Sequence, residues 1–146
     1  MGKTFEDEFM DIQSDLISLC LEFADGKADK IFAFAEISKY CLSFNAYFRH
    51  EGVIKHIAQM AQAMSQGYSY VDQFFDIGIS DLKKILEVCE RYNREIPAEM
   101  KMYYDVKTGR FNAEYRYEKD IPQSEDYYAD KTFDEWEKEL KARYEK

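Results

Sequence analysis

His50 and His56 flank a short stretch of the chain, with Glu51 between them. Two imidazoles and a carboxylate are metal donors, so a metal site is the chemistry this trio raises. The spacing matches no recognised ligand pattern, and histidines at the two ends of a hairpin are ordinarily surface or sheet-face groups. Cys41 would need a neighbouring base and a lowered pKa to act as a nucleophile, and the sequence around it supplies neither. Glu36 is an acid inside an apolar strand pattern. It is either buried and functional or placed where the strand emerges at the sheet edge or surface, the more ordinary outcome. The sequence has no GxSxG elbow, Gly-rich phosphate loop, HExxH pair or EF-hand loop. The expectation is a protein without catalytic residues, cofactor or metal.

Steps of three and four place Phe5, Phe9, Ile12, Leu16, Leu19 and Phe23 on one face, which predicts a helix from Thr4 to Asp25. Thr4 is its cap, Glu6, Asp7 and Glu8 suit its dipole, and Gly26 supplies a left-handed stop. Ile31 to Ala35 is apolar on both alternating sets, as in a strand covered on both faces. Leu42, Phe44, Ala46 and Phe48 alternate with more polar residues, predicting a half-buried strand. His50-Glu51-Gly52 then turns into a return strand from Val53 to Ile57.

Ala58 to Ser69 shows no clear period. Helical spacing resumes near Tyr70, with Gly78 as a kink or interruption before a clear helix from Ser80 to Asn93. Cys20 and Cys89 fall on or beside apolar helical stripes and read as small core residues. Alternation from Met100 to Val106 and from Phe111 to Tyr117, around Thr108-Gly109, gives the best hairpin. A polar connection carrying Pro122 precedes a last helix at Thr132. There Thr132-Phe133-Asp134-Glu135 reads as a capping box, and Phe133, Trp136, Leu140 and Tyr144 form a docking stripe. The order α-β-β-β-α-β-β-α predicts a single α+β domain over residues 1–146, with an antiparallel sheet of about five strands.

The 146 residues are 46% hydrophobic and 34% charged, enough apolar material for one packed core. With 29 acids against 20 bases the net charge is −9, which disfavours direct nucleic-acid binding and an acidic membrane surface. Residues 1–25 hold seven acids and one base, so the first helix concentrates that charge. A solvated helix face accounts for this, and so does attraction for a basic protein partner. Eleven Phe, 12 Tyr and one Trp fit either a sheet-rich core or an aromatic interface. Three widely spaced cysteines make no disulfide framework. Met1 to Phe5 runs directly into Glu6-Asp7-Glu8, and no apolar run reaches the roughly 18 residues of a membrane span. The expected location is the cytoplasm, with reduced thiols.

Several segments, in this order, resemble the YezG-like immunity-protein (antitoxin) family of bacterial polymorphic toxin systems. Asp29-Lys30-Ile31-Phe32-Ala33-Phe34-Ala35-Glu36-Ile37 is similar to the family's first strand, and Ser43-Phe44-Asn45-Ala46-Tyr47-Phe48 to its second. Ile79-Ser80-Asp81-Leu82-Lys83-Lys84 resembles its helix leading to a proline. The stretch from Pro97 through Tyr103-Tyr104-Asp105-Val106-Lys107-Thr108-Gly109-Arg110 to Phe111 resembles it most. Coverage runs from about residue 5 to about residue 140, and Ala58 to Ser69 lies outside the likeness. The resemblance implies binding and neutralisation of a cognate toxin, often the nuclease domain of a secreted toxin, with no catalytic residues to carry over.

Nuclease domains hold phosphates and tend to be basic, so an acidic inhibitor would be steered to them. The expected long-range contributors are Glu6, Asp7, Asp11, Asp15 and Glu22, with Asp126, Tyr127 and Tyr128 adding short-range contacts. The same element order in an acidic chain also resembles dimeric secretion chaperones that hold an effector segment, which leaves a homodimer open.

Overall fold

The Thr4 hydroxyl accepts the Asp7 backbone N–H at 3.1 Å, and the Asp7 carboxylate accepts the Thr4 N–H at 3.2 Å. This reciprocal cap opens α1 (Phe5–Ala24), and Asp25 (φ 49°) and Gly26 (φ 77°) close it in left-handed conformations. The computed structural model describes residues 2–38, 41–64, 67–121 and 129–145, and at 129 and 130 the backbone alone. After α1 come the strands β1 (Lys30–Ile37), β2 (Leu42–His50) and β3 (Val53–His56), then a short helix α2 (Ile57–Ala63). A long helix α3 (Val71–Arg91), a hairpin of β4 (Glu99–Asp105) and β5 (Phe111–Arg116), and a last helix α4 (Ala129–Tyr144) complete the order. The fold is α+β, and α2 is the one α-helix added to the expected order.

The five strands form one antiparallel sheet, ordered β3-β2-β1-β4-β5. Alternation along β1 divides the core in two. Ile31, Ala33 and Ala35 face α1 and α3, together with Phe44, Phe48, Met100 and Met102. Phe32 and Phe34 face the other way, where Tyr47 and Ile54 join them under Trp136 and Leu140 of α4. The expectation that β1 is covered on both faces holds. Burying each such large apolar side chain is worth about 1.5–3 kcal/mol.

Tyr47 corrects the half-buried reading of β2. It is 1% exposed because α4 packs over the face that alternation had left to solvent. Its hydroxyl donates to the Phe133 carbonyl at 2.9 Å. Two further bonds moor the far end of α4: Arg49 Nε donates to the Tyr144 carbonyl at 3.0 Å, and the Ile54 N–H donates to the Glu145 carboxylate at 2.8 Å.

Four boundaries differ from expectation. The return strand stops at His56, and Ile57 already belongs to α2. His56 is that helix's cap, its Nδ1 accepting the Gln59 N–H at 3.3 Å. Gly78 does not interrupt α3, which runs unbroken through it. Helix α4 begins at Ala129, so Thr132 lies inside it and the Thr-Phe-Asp-Glu pattern is not its cap. The stretch from Ala58 to Ser69 contains most of α2 and part of a 3-10 turn, Gly67–Tyr70.

Candidate partner-binding surface

The acids of α1 do not act as one free set. Glu6 pairs with Arg94 at 3.2 Å and Asp11 with Lys3 at 2.6 Å, while Asp7 is spent on the helix cap. Glu8 binds Arg91 at 2.6 Å and accepts the Tyr92 hydroxyl, contacts that hold its carboxyl below the ordinary glutamate range. Asp15 and Glu22 make no ion pair among the described residues, and both are exposed. They stand seven positions apart, two turns along the same side of the helix. Asp126, Tyr127 and Tyr128 lie outside the described residues.

Asp81 of α3 is 4% exposed, and burial pushes its carboxyl up. Lys84 at 3.3 Å opposes the shift, and the like charge of Asp15 adds to it. The seam between α1 and α3 therefore contains a buried acid beneath an exposed one.

The other candidate groups are dispersed. His50 Nε2 lies 3.0 Å from Glu51 and its Nδ1 lies 2.9 Å from Lys55 Nζ, while His56 is engaged at the start of α2. Among the described residues no three His, Cys, Asp or Glu side chains converge as a metal group. Cys20 and Cys89 are buried, and burial raises both thiols; Cys41 is exposed. Glu36 is half-buried near the end of the central strand, between Ser43 and Glu99 in register. It stands at the end of the sheet and not at its lateral edge.

Several concavities mark the described surface, among them one of about 300 Å³ lined by Asp29, Arg49, Lys107 and Glu145. Another, about 400 Å³, separates the last turn of α4 from β4 and β5, with the Lys30–Asp105 pair (2.8 Å) and Arg110, Glu114 and Arg143 in its walls. A third, about 230 Å³, lies between α1 and α3, where Leu19, Phe23, Phe74 and Ile77 meet Glu22.

The largest of these, about 610 Å³, lies where α2, the Gly67–Tyr70 turn and α3 meet α4. Its walls include Tyr47 and Phe133, stacked at 4.1 Å, together with Phe75 and Tyr68. Tyr68 is 57% exposed and is held by Gln62 Nε2 donating to its hydroxyl at 3.0 Å. Asp134 and Glu137 complete the lining, and no Lys or Arg among the described residues takes part. Burial raises the Tyr47 hydroxyl, and the charges of Glu137 and Asp134 push it further in the same direction.

No protein-family model and no curated protein matches the chain. The segments from Asp29, Ser43, Ile79 and Pro97 singled out in the sequence fall in or beside β1, β2, α3 and the β4–β5 hairpin. Sequence reading missed Tyr68, Phe75, Asp134 and Glu137 as neighbours. Tyr68 falls in the stretch without period, and Asp134 was absorbed into a supposed cap. No helix among the described residues is long and apolar enough to cross a membrane.

Proposed function

We propose that this protein is an immunity protein. It binds and neutralises one cognate toxin, a basic nuclease domain, in the cytoplasm of the producing bacterium, and it acts by occupying its partner and not by catalysis. The observation that carries this reading is the exposed edge of α1 along its seam with α3, where Asp15 and Glu22 make no ion pair among the described residues, in a chain of net charge −9. Such a field accelerates encounter with a basic surface, and the segment likeness supplies the class of partner.

The test is co-expression with the toxin encoded by the neighbouring gene, followed by binding kinetics at two salt concentrations. The wild type protects the cell. Asp15→Lys with Glu22→Lys slows association on the order of tenfold at low salt, and the gap narrows at high salt by screening. No protection and no complex between folded partners overturns the function. Protection with salt-insensitive association removes the steering and leaves the function.

A further inference from the structure

The cleft between α2, α3 and the start of α4 differs from the others described in the sign and setting of its charge, the one beside Arg49 and Lys107 mixing both signs. The groove by β4 and β5 mixes both signs and already contains the Lys30–Asp105 pair. The α1–α3 cleft has a single acid in its lining. In the cleft of about 610 Å³ the carboxylates, Asp134 and Glu137, share the lining with four Phe and Tyr rings and with the imidazole of His56, whose Nδ1 accepts the Gln59 N–H.

Glu137 meets Lys141 at 3.4 Å, an i,i+4 pair, so Asp134 is the cleft's carboxylate without an ion pair among the described residues. The floor is rigid, because Tyr47 is 1% exposed, stacked on Phe133 and hydrogen-bonded to its carbonyl. The rim is accessible, because Asp134 is exposed and Tyr68 is 57% exposed. An aromatic face attracts a cation through its quadrupole, and a carboxylate beside it binds the same cation by charge. A guanidinium meets both demands at once, since it is planar, stacks on rings and forks onto carboxylates.

We infer that this cleft is an arginine-binding pocket for the partner protein: Tyr68 and Phe75 hold the guanidinium plane while Asp134 and Glu137 accept its N–H groups. The inference rests on the immunity reading for the identity of the partner, and on the cleft alone for the chemistry. It adds a short-range anchor to the long-range field of α1, on a different part of the molecule.

Two experiments separate these claims. In the first, the intact ¹⁵N-labelled protein is titrated with the blocked tripeptide Gly-Arg-Gly and with its citrulline counterpart, which keeps the shape and loses the charge. The arginine peptide gives saturable shifts at Tyr68, Phe75, Asp134 and Glu137. The citrulline peptide, and the Asp134→Asn with Glu137→Gln double variant, abolish them. Shifts confined to α1, equal shifts with both peptides, or none at all overturn the pocket, whatever the protein's partner is. In the second, the same double variant and Tyr68→Ala, both verified as folded by circular dichroism, are measured against the neighbouring gene's toxin. Each weakens the complex tenfold or more, mainly by faster dissociation. A complex of unchanged affinity overturns the pocket while the immunity function stands. A toxin that ignores the wild type overturns the function, and the peptide titration still decides the pocket.

Discussion

The ring of Phe44 lies directly over Gly78: a Cβ built on that glycine would sit 2.4 Å from Phe44 Cδ2. Gly78 is therefore retained in the middle of α3 because β2 crosses it at close range. Phe44 is itself 3% exposed and packs on Phe74 at 5.5 Å, so its ring has little room to withdraw. Gly78→Ala is expected to lower stability by about 1–3 kcal/mol through overpacking, although alanine is the better helix former. Adding Phe44→Leu restores part of the loss. Chemical denaturation of the two variants checks this, and a stabilised Gly78→Ala protein would contradict the contact.

Gly109 turns the β4–β5 hairpin with φ 74°, the positive φ its place after Thr108 predicts. Gly109→Val puts a β-branched residue in that basin and costs on the order of 1–3 kcal/mol. An unchanged denaturation midpoint would rule out the strained turn.

Glu8 gives the seam between α1 and α3 a pH dependence. Its hydrogen bond from Tyr92, followed by that from Arg91, lowers its folded pKa below the unfolded one. The stability it contributes is present above the unfolded glutamate pKa and disappears as pH falls through the folded value. Glu8→Gln is thus less stable than wild type at pH 7, and the two melting curves converge at acid pH. A constant difference from pH 7 down to pH 2 would refute the linkage.

Trp136 holds α4 to the sheet. It is 1% exposed and meets Tyr103 edge-on at 5.6 Å and Phe32 at 6.3 Å. Trp136→Ala is expected to cost about 3–5 kcal/mol, and Trp136→Phe distinctly less. Equilibrium unfolding in urea measures both, and a loss under 1 kcal/mol for the alanine variant would exclude this docking.

The elements legible in the sequence are those whose cause is local. Thr4, Asp7 and the stripe from Phe5 to Phe23 define α1 without outside help, and Gly109 with its flanking alternation defines the hairpin. What escaped depends on partners distant in sequence. Gly78 looks like a helix breaker until Phe44 is seen against it. Tyr47 looks solvent-facing until α4 arrives from 86 positions further along. The seven residues of α2 are too few to show a period, and their cap is a histidine, whose ring seldom signals a helix start. The α1 acids were readable as a charged stretch, but which of them stay unpaired was not, because Arg91 and Arg94 come from beyond α3's midpoint. The α4 cleft gathers Tyr68 and Asp134 by tertiary packing alone.

The central place of β1 has a consequence for how the chain assembles. One side of β1 pairs with β2 through a short connection, but the other pairs with β4, and the Lys30–Asp105 bridge closes 75 positions. The β1–β2–β3 meander and the β4–β5 hairpin can each form early, whereas joining them must first close a loop that contains α2 and α3. On the ribosome, the apolar middle of the sheet therefore presents an open hydrogen-bonding edge until Glu99–Asp105 has emerged. A chain halted before that point displays an unfinished strand ready to pair with another copy.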